Sequence, residues 1–245
     1  MPTDMASLSA IFMCGSDMPH YEQFYVRPED VEAEYFFLRD QECAHAARVC
    51  RKRAGEWLIA VDGLGQRYQG EIVQVSAEQV RVRRQQQDSN WGEPRLQLTL
   101  AQALLKGGHV DEIVEKATEL GIARVQPLLT ERTIVEPSLQ RQERWQDKAR
   151  AAMKQCGRSR CPVVALPMLL RRYIEQCAGI PLFVAEEAVD EKKATLSDRL
   201  VQAERAILVV GPEGGLSENE MALLQERQAF LDRKSTRLNS SHRIR

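Results

Sequence analysis

The sequence predicts an α/β protein whose parallel sheet is preceded by a small β-barrel. Three observations carry that expectation. Residues 24–84 hold short β-rich runs punctuated by turn residues, the pattern of a small barrel. After Pro94, strand-like and helix-like stretches alternate, the order that lays helices over both faces of a parallel sheet. Towards the far end an apolar run, 206–210, breaks into Gly211-Pro212-Glu213-Gly214-Gly215, as a strand does when it hands a loop to a helix at a ligand-binding edge.

The elements follow in order. Strands are expected over 24–26, 35–38, 56–61, 66–75 and 79–82, with Asp62-Gly63 as a hairpin signal and one helix over 41–53. The stretch 85–94 is polar, contains Gly92 and Pro94, and reads as a linker. A strand over 96–104, a helix over 109–120 stopped by Gly121, and a strand over 124–129 come next. A long helix over 139–156, a strand over 163–166, a helix over 169–177 and strands over 181–185 and 206–210 complete the alternation. Ser217 then stands where a helix N-cap belongs, and Glu220 three residues on completes a capping box. The expected division is a tail or misassigned start at 1–20, a barrel at 21–84, a linker at 85–94 and an α/β domain at 95–231.

Composition narrows the function classes. A chain of 245 residues, 43% hydrophobic and 28% charged, suits one or two soluble globular domains. It has no apolar run of about eighteen residues, so no membrane helix is expected, and no basic n-region of a signal peptide; a cytoplasmic protein is expected. The six cysteines form no CxxC pair and only four histidines accompany them, so free thiols and no metal are expected. Net charge is −1, but basic residues cluster around Arg48 to Arg53, Arg81 to Arg84 and Arg158 to Arg160. Such clusters are either solvated faces or parts of a nucleic-acid footprint.

The loop at 211–215 is the strongest single motif. Its glycines let backbone groups approach a flat ligand. The spacing is not GxGxxG and no Lys-Ser/Thr follows, which excludes a dinucleotide fingerprint and a P-loop. On these residues alone, a ligand loop and a plain tight turn stand side by side.

Four ordered motifs give the loop a context: Gln102-Ala-Leu-Leu-Lys-Gly-Gly108; Glu115-Lys-Ala-Thr-Glu-Leu-Gly121 continuing to Pro127-Leu-Leu-Thr-Glu-Arg132; Gln155-Cys-Gly-Arg-Ser-Arg160; and GPEGG followed by Ser-x-x-Glu. Together, over residues 24–230, the chain resembles the RsmE family of RNA methyltransferases, part of the knotted SPOUT superfamily. The resemblance implies a SPOUT-type parallel-sheet domain of the trefoil-knot class behind a PUA-like RNA-binding barrel. It implies S-adenosyl-L-methionine as cofactor, held at Gly211, Pro212, Glu213, Gly214 and Gly215. It further implies methylation of N3 of a uridine in 16S ribosomal RNA of the small subunit, by a cytoplasmic homodimer. A non-catalytic RNA-binding protein on the same scaffold is the alternative.

Candidate residues follow from that chemistry. When N3 of a uridine loses its proton, the charge left on the ring is best met by an always-charged planar cation. The resemblance puts Arg158 in that place, with Arg160 beside it as an RNA contact. The other reading makes both helix C-terminal residues that favour the dipole after Gly157. Lys106 is either a phosphate contact or an exposed turn lysine. Glu115 and Glu119 share a helix face, and Glu119 with Arg132 is an expected structural pair. The family pattern H-H-L-x-R-V-L-R stands here as Ala44-His45-Ala46-Ala47-Arg48-Val49-Cys50-Arg51. Arg48 and Arg51 are expected to touch RNA phosphates, and His45 to pack or cap.

From Asp232 to His242 the chain back-translates to a stretch resembling a widely used sequencing-library adapter, so 232–245 is expected to be adapter translation. A basic RNA-binding tail is the other reading, since 232–245 carries five basic residues and one acidic one. Family members continue there with L-G-x-R-x-L-R-x-E-T-A, which threads the knot, so an incomplete knot is expected.

Overall fold

The computed structural model describes residues 22–106, 109–134, 138–186 and 203–233. The tail at 1–20 and residues 234–245 of the adapter-like stretch lie outside them. The chain forms two compact units, one from residues up to 60 with 68–87, the other from 61–67 with 88 onwards.

The first unit is built on a five-stranded sheet. Its strands are β1 (Gln23–Tyr25), β2 (Tyr35–Arg39), β3 (Trp57–Val61), β4 (Gln66–Val75) and β5 (Gln79–Ser89), in the order β1-β3-β4-β5-β2. β2 and β5 run antiparallel, with Phe36 opposite Val82 and Leu38 opposite Val80. These four side chains are fully buried, whereas Phe37, Arg39 and Arg81 on the alternate positions are not. That is the period-two pattern of a sheet with one face on a core. Phe24, Leu58, Ala60 and Ile72 close the core from the other strands.

Two elements differ from expectation. β5 continues through Ser89, into the stretch expected as linker. Cross-strand polar pairs extend the ladder there, Arg67 with Asp88 at 3.1 Å and Ser89 Oγ with Gln66 Oε1 at 3.0 Å, and an all-polar strand gives no hydrophobic alternation to read. The helix expected over 41–53 is only α1 (Asp40–Ala44), followed by a single π-turn over His45–Val49 closed by Cys50 N–H donating to the His45 carbonyl at 3.0 Å.

Gly70 is the tightest point of this sheet. A Cβ built there would lie 2.0 Å from the Arg83 carbonyl oxygen, a backbone atom that cannot swing away. Gly70→Ala should therefore cost about 3 kcal/mol, read as a lower denaturation midpoint in urea.

The second unit carries a parallel sheet. β6 (Gln97–Ala103), β7 (Arg124–Leu129), β8 (Val163–Val164), β9 (Met168–Leu169), β10 (Leu182–Glu186), β11 (Arg205–Val210) and β12 (Phe230–Arg233) are ordered β12-β10-β11-β6-β7-β8, with β9 also on β7. Each of these pairings is parallel. α2 (His109–Glu119) and α3 (Leu139–Cys156) cover one face, where Leu100, Val114, Val125, Trp145 and Ala149 pack together. α4 (Leu170–Gln176) and α5 (Glu218–Glu226) cover the other, with Ala101, Leu128, Ile174, Ile207 and Leu224. Leu100 and Ala101 are neighbours on β6 yet face opposite cores, as a strand buried on both sides requires.

The chain leaves β6 on one side to form β7 and returns on its other side as β11. Between β6 and β11 lies the topological switch point, where the strand ends of an open α/β sheet part to admit a ligand. No helix among the described residues is long and apolar enough to cross a membrane.

Candidate active site

The loop 211–215 leaves the C-terminal end of β11, on one side of that switch point. Pro212 is buried and Glu213 and Gly214 are exposed. The turn is closed by Gly215 N–H donating to the Pro212 carbonyl at 2.9 Å, with Gly215 at φ +73°, a left-handed conformation that glycine adopts without cost. A Cβ at Gly211 would press on Leu216 at 3.2 Å, so the packing under the loop asks for glycine there too. Gly214 is different. A Cβ there would meet only the Arg132 stem, at 3.7 Å, and the space above it is open.

Loops from the neighbouring strands fix this segment. Across the switch point, after β6, Lys106 N–H donates to Glu213 Oε1 at 3.3 Å. After β7, Arg132 Nη1 donates to the Gly214 carbonyl. The expected capping box is present: Glu220 N–H donates to Ser217 Oγ at 3.2 Å and Ser217 N–H to Glu220 Oε2 at 2.9 Å. The second oxygen of Glu220 does something the spacing did not reveal. Oε1 accepts from Glu131 N–H at 3.0 Å, so one buried carboxylate holds the start of α5 and the end of β7 together. Beside it opens a cleft of about 200 Å³ lined by Thr130, Glu131, Leu169, Arg171, Asn219 and Glu220. The edge thus offers a glycine loop held by the loops after β6 and β7, with Lys106 and Arg132 exposed beside it.

Other candidates fall elsewhere. Arg158 is at the opposite edge of the sheet. Its Nη1 donates to the carbonyls of Thr118, in the last turn of α2, and Ile122, on the turn that enters β7, at 2.8 and 3.0 Å, and a six-residue strand puts roughly 20 Å between that turn and the far edge. Its Nη2 meets Glu93 Oε2 at 2.7 Å, with both side chains only 4% exposed. These partners suit the architectural reading of Arg158 rather than that of a base-facing cation. The guanidinium is spent on backbone carbonyls and a buried carboxylate, and no face of it is turned to solvent. Glu93 also accepts the backbone N–H groups of Ser159 and Arg160, at 3.0 and 2.8 Å. It lies in the stretch expected as linker, and nothing in its sequence context marked it.

Arg160 is exposed but held, its Nη2 and Nε donating to Asn90 Oδ1 at 2.7 and 2.9 Å. The expected Glu119–Arg132 pair is not formed. Glu119 meets Lys116 at 3.0 Å and Glu115 meets Lys148 at 3.2 Å, while Arg132 turns to the glycine loop. In the first unit Arg48 and Arg51 are exposed, and Arg51 sits at φ +53° just past the π-turn. His45 does pack, with its ring centroid 5.6 Å from that of Phe24 and its Nε2 3.1 Å from Glu22 Oε1. Burial first, and then the Glu22 carboxylate, push the neighbouring Cys50 thiol up to about 12.

Comparison with known proteins converges on one family. Residues 92–232 match the RNA methyltransferase domain family and residues 38–83 the RNA methyltransferase PUA domain family. A ribosomal RNA small subunit methyltransferase E from Mycobacterium tuberculosis is 32% identical over 193 residues, covering 74% of this chain and 72% of the relative. The chain belongs to the RsmE family of RNA methyltransferases. Its RsmE relative from Synechocystis is 31% identical over 201 residues, 81% of this chain, and this chain spans 66% of that relative's length. Among solved structures, the RsmE of Neisseria gonorrhoeae bound to S-adenosyl methionine superposes with a TM-score of 0.77 at 26% identity, covering 88% of this chain and 90% of that one. A Legionella pneumophila methyltransferase structure with bound cofactor SAM gives 0.74, also at 26% identity and 88% of this chain. The SPOUT-type parallel sheet and the PUA-like first unit are thereby established for this RsmE-family chain.

Proposed function

We propose that this chain transfers a methyl group from S-adenosylmethionine to N3 of a uridine in 16S ribosomal RNA, working in the cytoplasm as a homodimer. The observation that carries the reading is Gly214. Neither its φ nor the packing around it requires glycine, yet it stands on the open side of a loop at the switch point, where a side chain would fill the approach to a ligand. Backbone with that access fits a cofactor with a flat base.

S-adenosylmethionine supplies an activated methyl group, which asks a protein mainly for positioning and exclusion of water. The residues of the loop, Gly211, Pro212, Glu213, Gly214 and Gly215, hold it in this reading. Arg132, which bonds the Gly214 carbonyl, and Glu220, which ties Ser217 at the loop's exit to Glu131 after β7, are positioning residues. Lys106, exposed beside Glu213, meets an RNA phosphate or the charge on the ring. Arg48 and Arg51 on the PUA-like unit, and Arg160, add sequence-independent attraction to RNA that falls with salt. Arg158 acts through the fold and touches no substrate.

The test is methyl transfer itself. The chain is incubated with methyl-labelled S-adenosylmethionine and small-subunit RNA, and the RNA is digested to nucleosides. Label is expected in 3-methyluridine. Cofactor binding without label in any small-subunit RNA would overturn the proposal in favour of an RNA-binding protein on this scaffold.

A further inference from the structure

We infer that Glu22, His45 and Cys50 form a Zn²⁺ site on the PUA-like unit. Their ligand atoms, one carboxylate oxygen, one imidazole nitrogen and one thiol sulfur, all lie within 4.8 Å of one another. With Zn–N and Zn–O bonds of about 2.1 Å and a Zn–S bond of about 2.3 Å, the widest of these separations would close by at most about 1 Å and the 3.1 Å between His45 Nε2 and Glu22 Oε1 would open by a few tenths.

The backbone explains why these three meet. In an α-helix, residues five apart point about 140° away from each other at 3.6 residues per turn. Here the turn over His45–Val49 is widened to a π-turn, with Cys50 N–H bonded to the His45 carbonyl. The wider turn lays position i+5 almost over position i, so the imidazole and the thiol share one face. π-turns inside helices are rare and concentrate at functional positions. Glu22, just before β1, is brought to the same face, its Oε1 3.1 Å from His45 Nε2.

The donor set points to zinc. A mixed imidazole, thiolate and carboxylate set suits a borderline cation with no geometric demand beyond four-coordination, and is poor for calcium or magnesium, which take oxygen. Three protein ligands leave a fourth position for water. The side chains of His45 and Glu22 are 37% and 43% exposed, so the ion has a path in and water has a path to it. Bound there, zinc would tie the entry to β1 to the end of the π-turn. The spacing rules missed this site because His-x4-Cys is not a ligand spacing on an α-helix.

The test uses the full chain and Co²⁺ as a spectroscopic stand-in. One equivalent of Co²⁺ is expected to give a thiolate-to-cobalt charge-transfer band that Zn²⁺ bleaches. Cys50→Ser should abolish the band, and His45→Ala should weaken Zn²⁺ affinity by about 100-fold or more. Glu22→Gln, a change at an exposed side chain that leaves the fold intact, should weaken it by about tenfold. Cys156→Ser and Cys161→Ser should leave band and affinity unchanged. Absence of a charge-transfer band, or a band that survives Cys50→Ser, overturns the site; so does Zn²⁺ affinity that Glu22→Gln does not change.

Discussion

Arg158→Ala should lower the stability of the parallel-sheet unit by about 3–5 kcal/mol, the range seen when one partner of a buried ion pair is removed. The change would strand the Glu93 carboxylate, 4% exposed, and free the carbonyls of Thr118 and Ile122 from their donor. Glu93→Ala should be comparably damaging, because it also releases the N–H groups of Ser159 and Arg160. The combined Glu93→Met, Arg158→Met variant should recover part of the loss, since an apolar pair leaves no charge uncompensated. Chemical denaturation of the four proteins reads this directly. If Arg158→Ala kept its denaturation midpoint and lost only methyl transfer, the architectural assignment would fail and a catalytic one would return.

Gly214→Ala separates folding from ligand binding at the cofactor loop. Its Cβ meets nothing closer than the Arg132 stem at 3.7 Å and its backbone is not left-handed, so the melting temperature should not move beyond error. Affinity for S-adenosylmethionine should fall at least about tenfold, the equivalent of about 1.4 kcal/mol, because a methyl group then occupies the ligand's approach. Gly215→Ala is the contrasting control. Its φ of +73° strains any side chain by about 1–3 kcal/mol, and stability and affinity should fall together. Isothermal titration beside thermal melting distinguishes the two. Unchanged affinity in Gly214→Ala would sink the proposal that this loop is the cofactor cradle.

What was legible in the sequence follows from which patterns leave a periodic trace. Helix 139–156 and strand 124–129 carry their full periodicity and end in a C-terminal glycine or a turn, and both stand as expected. The Ser217–Glu220 box is a local bond with a fixed spacing, so it too could be read. The second bond of Glu220, to Glu131 N–H, spans 89 positions, and no local rule reaches that far. Glu93 fails for the same reason: its partners lie 65 to 67 positions away. The π-turn was hidden because its residues are ordinary helix formers, and one extra residue in a turn leaves composition unchanged. Arg158 was placed by motif rather than by environment, and the buried carboxylate that claims it sat in what looked like a linker.

The order β12-β10-β11-β6-β7-β8 also governs how the chain comes into being. β6 can pair with β7 almost at once, but its other edge waits for β11, roughly a hundred residues later. β10, in turn, is made before either of its neighbours, β11 and β12. During synthesis at roughly 5–20 residues per second, β6 therefore spends several seconds as an apolar strand with one open edge. β11 closes that gap. The same insertion that opens a cofactor crevice leaves the nascent chain with a bare strand edge while the intervening residues are made.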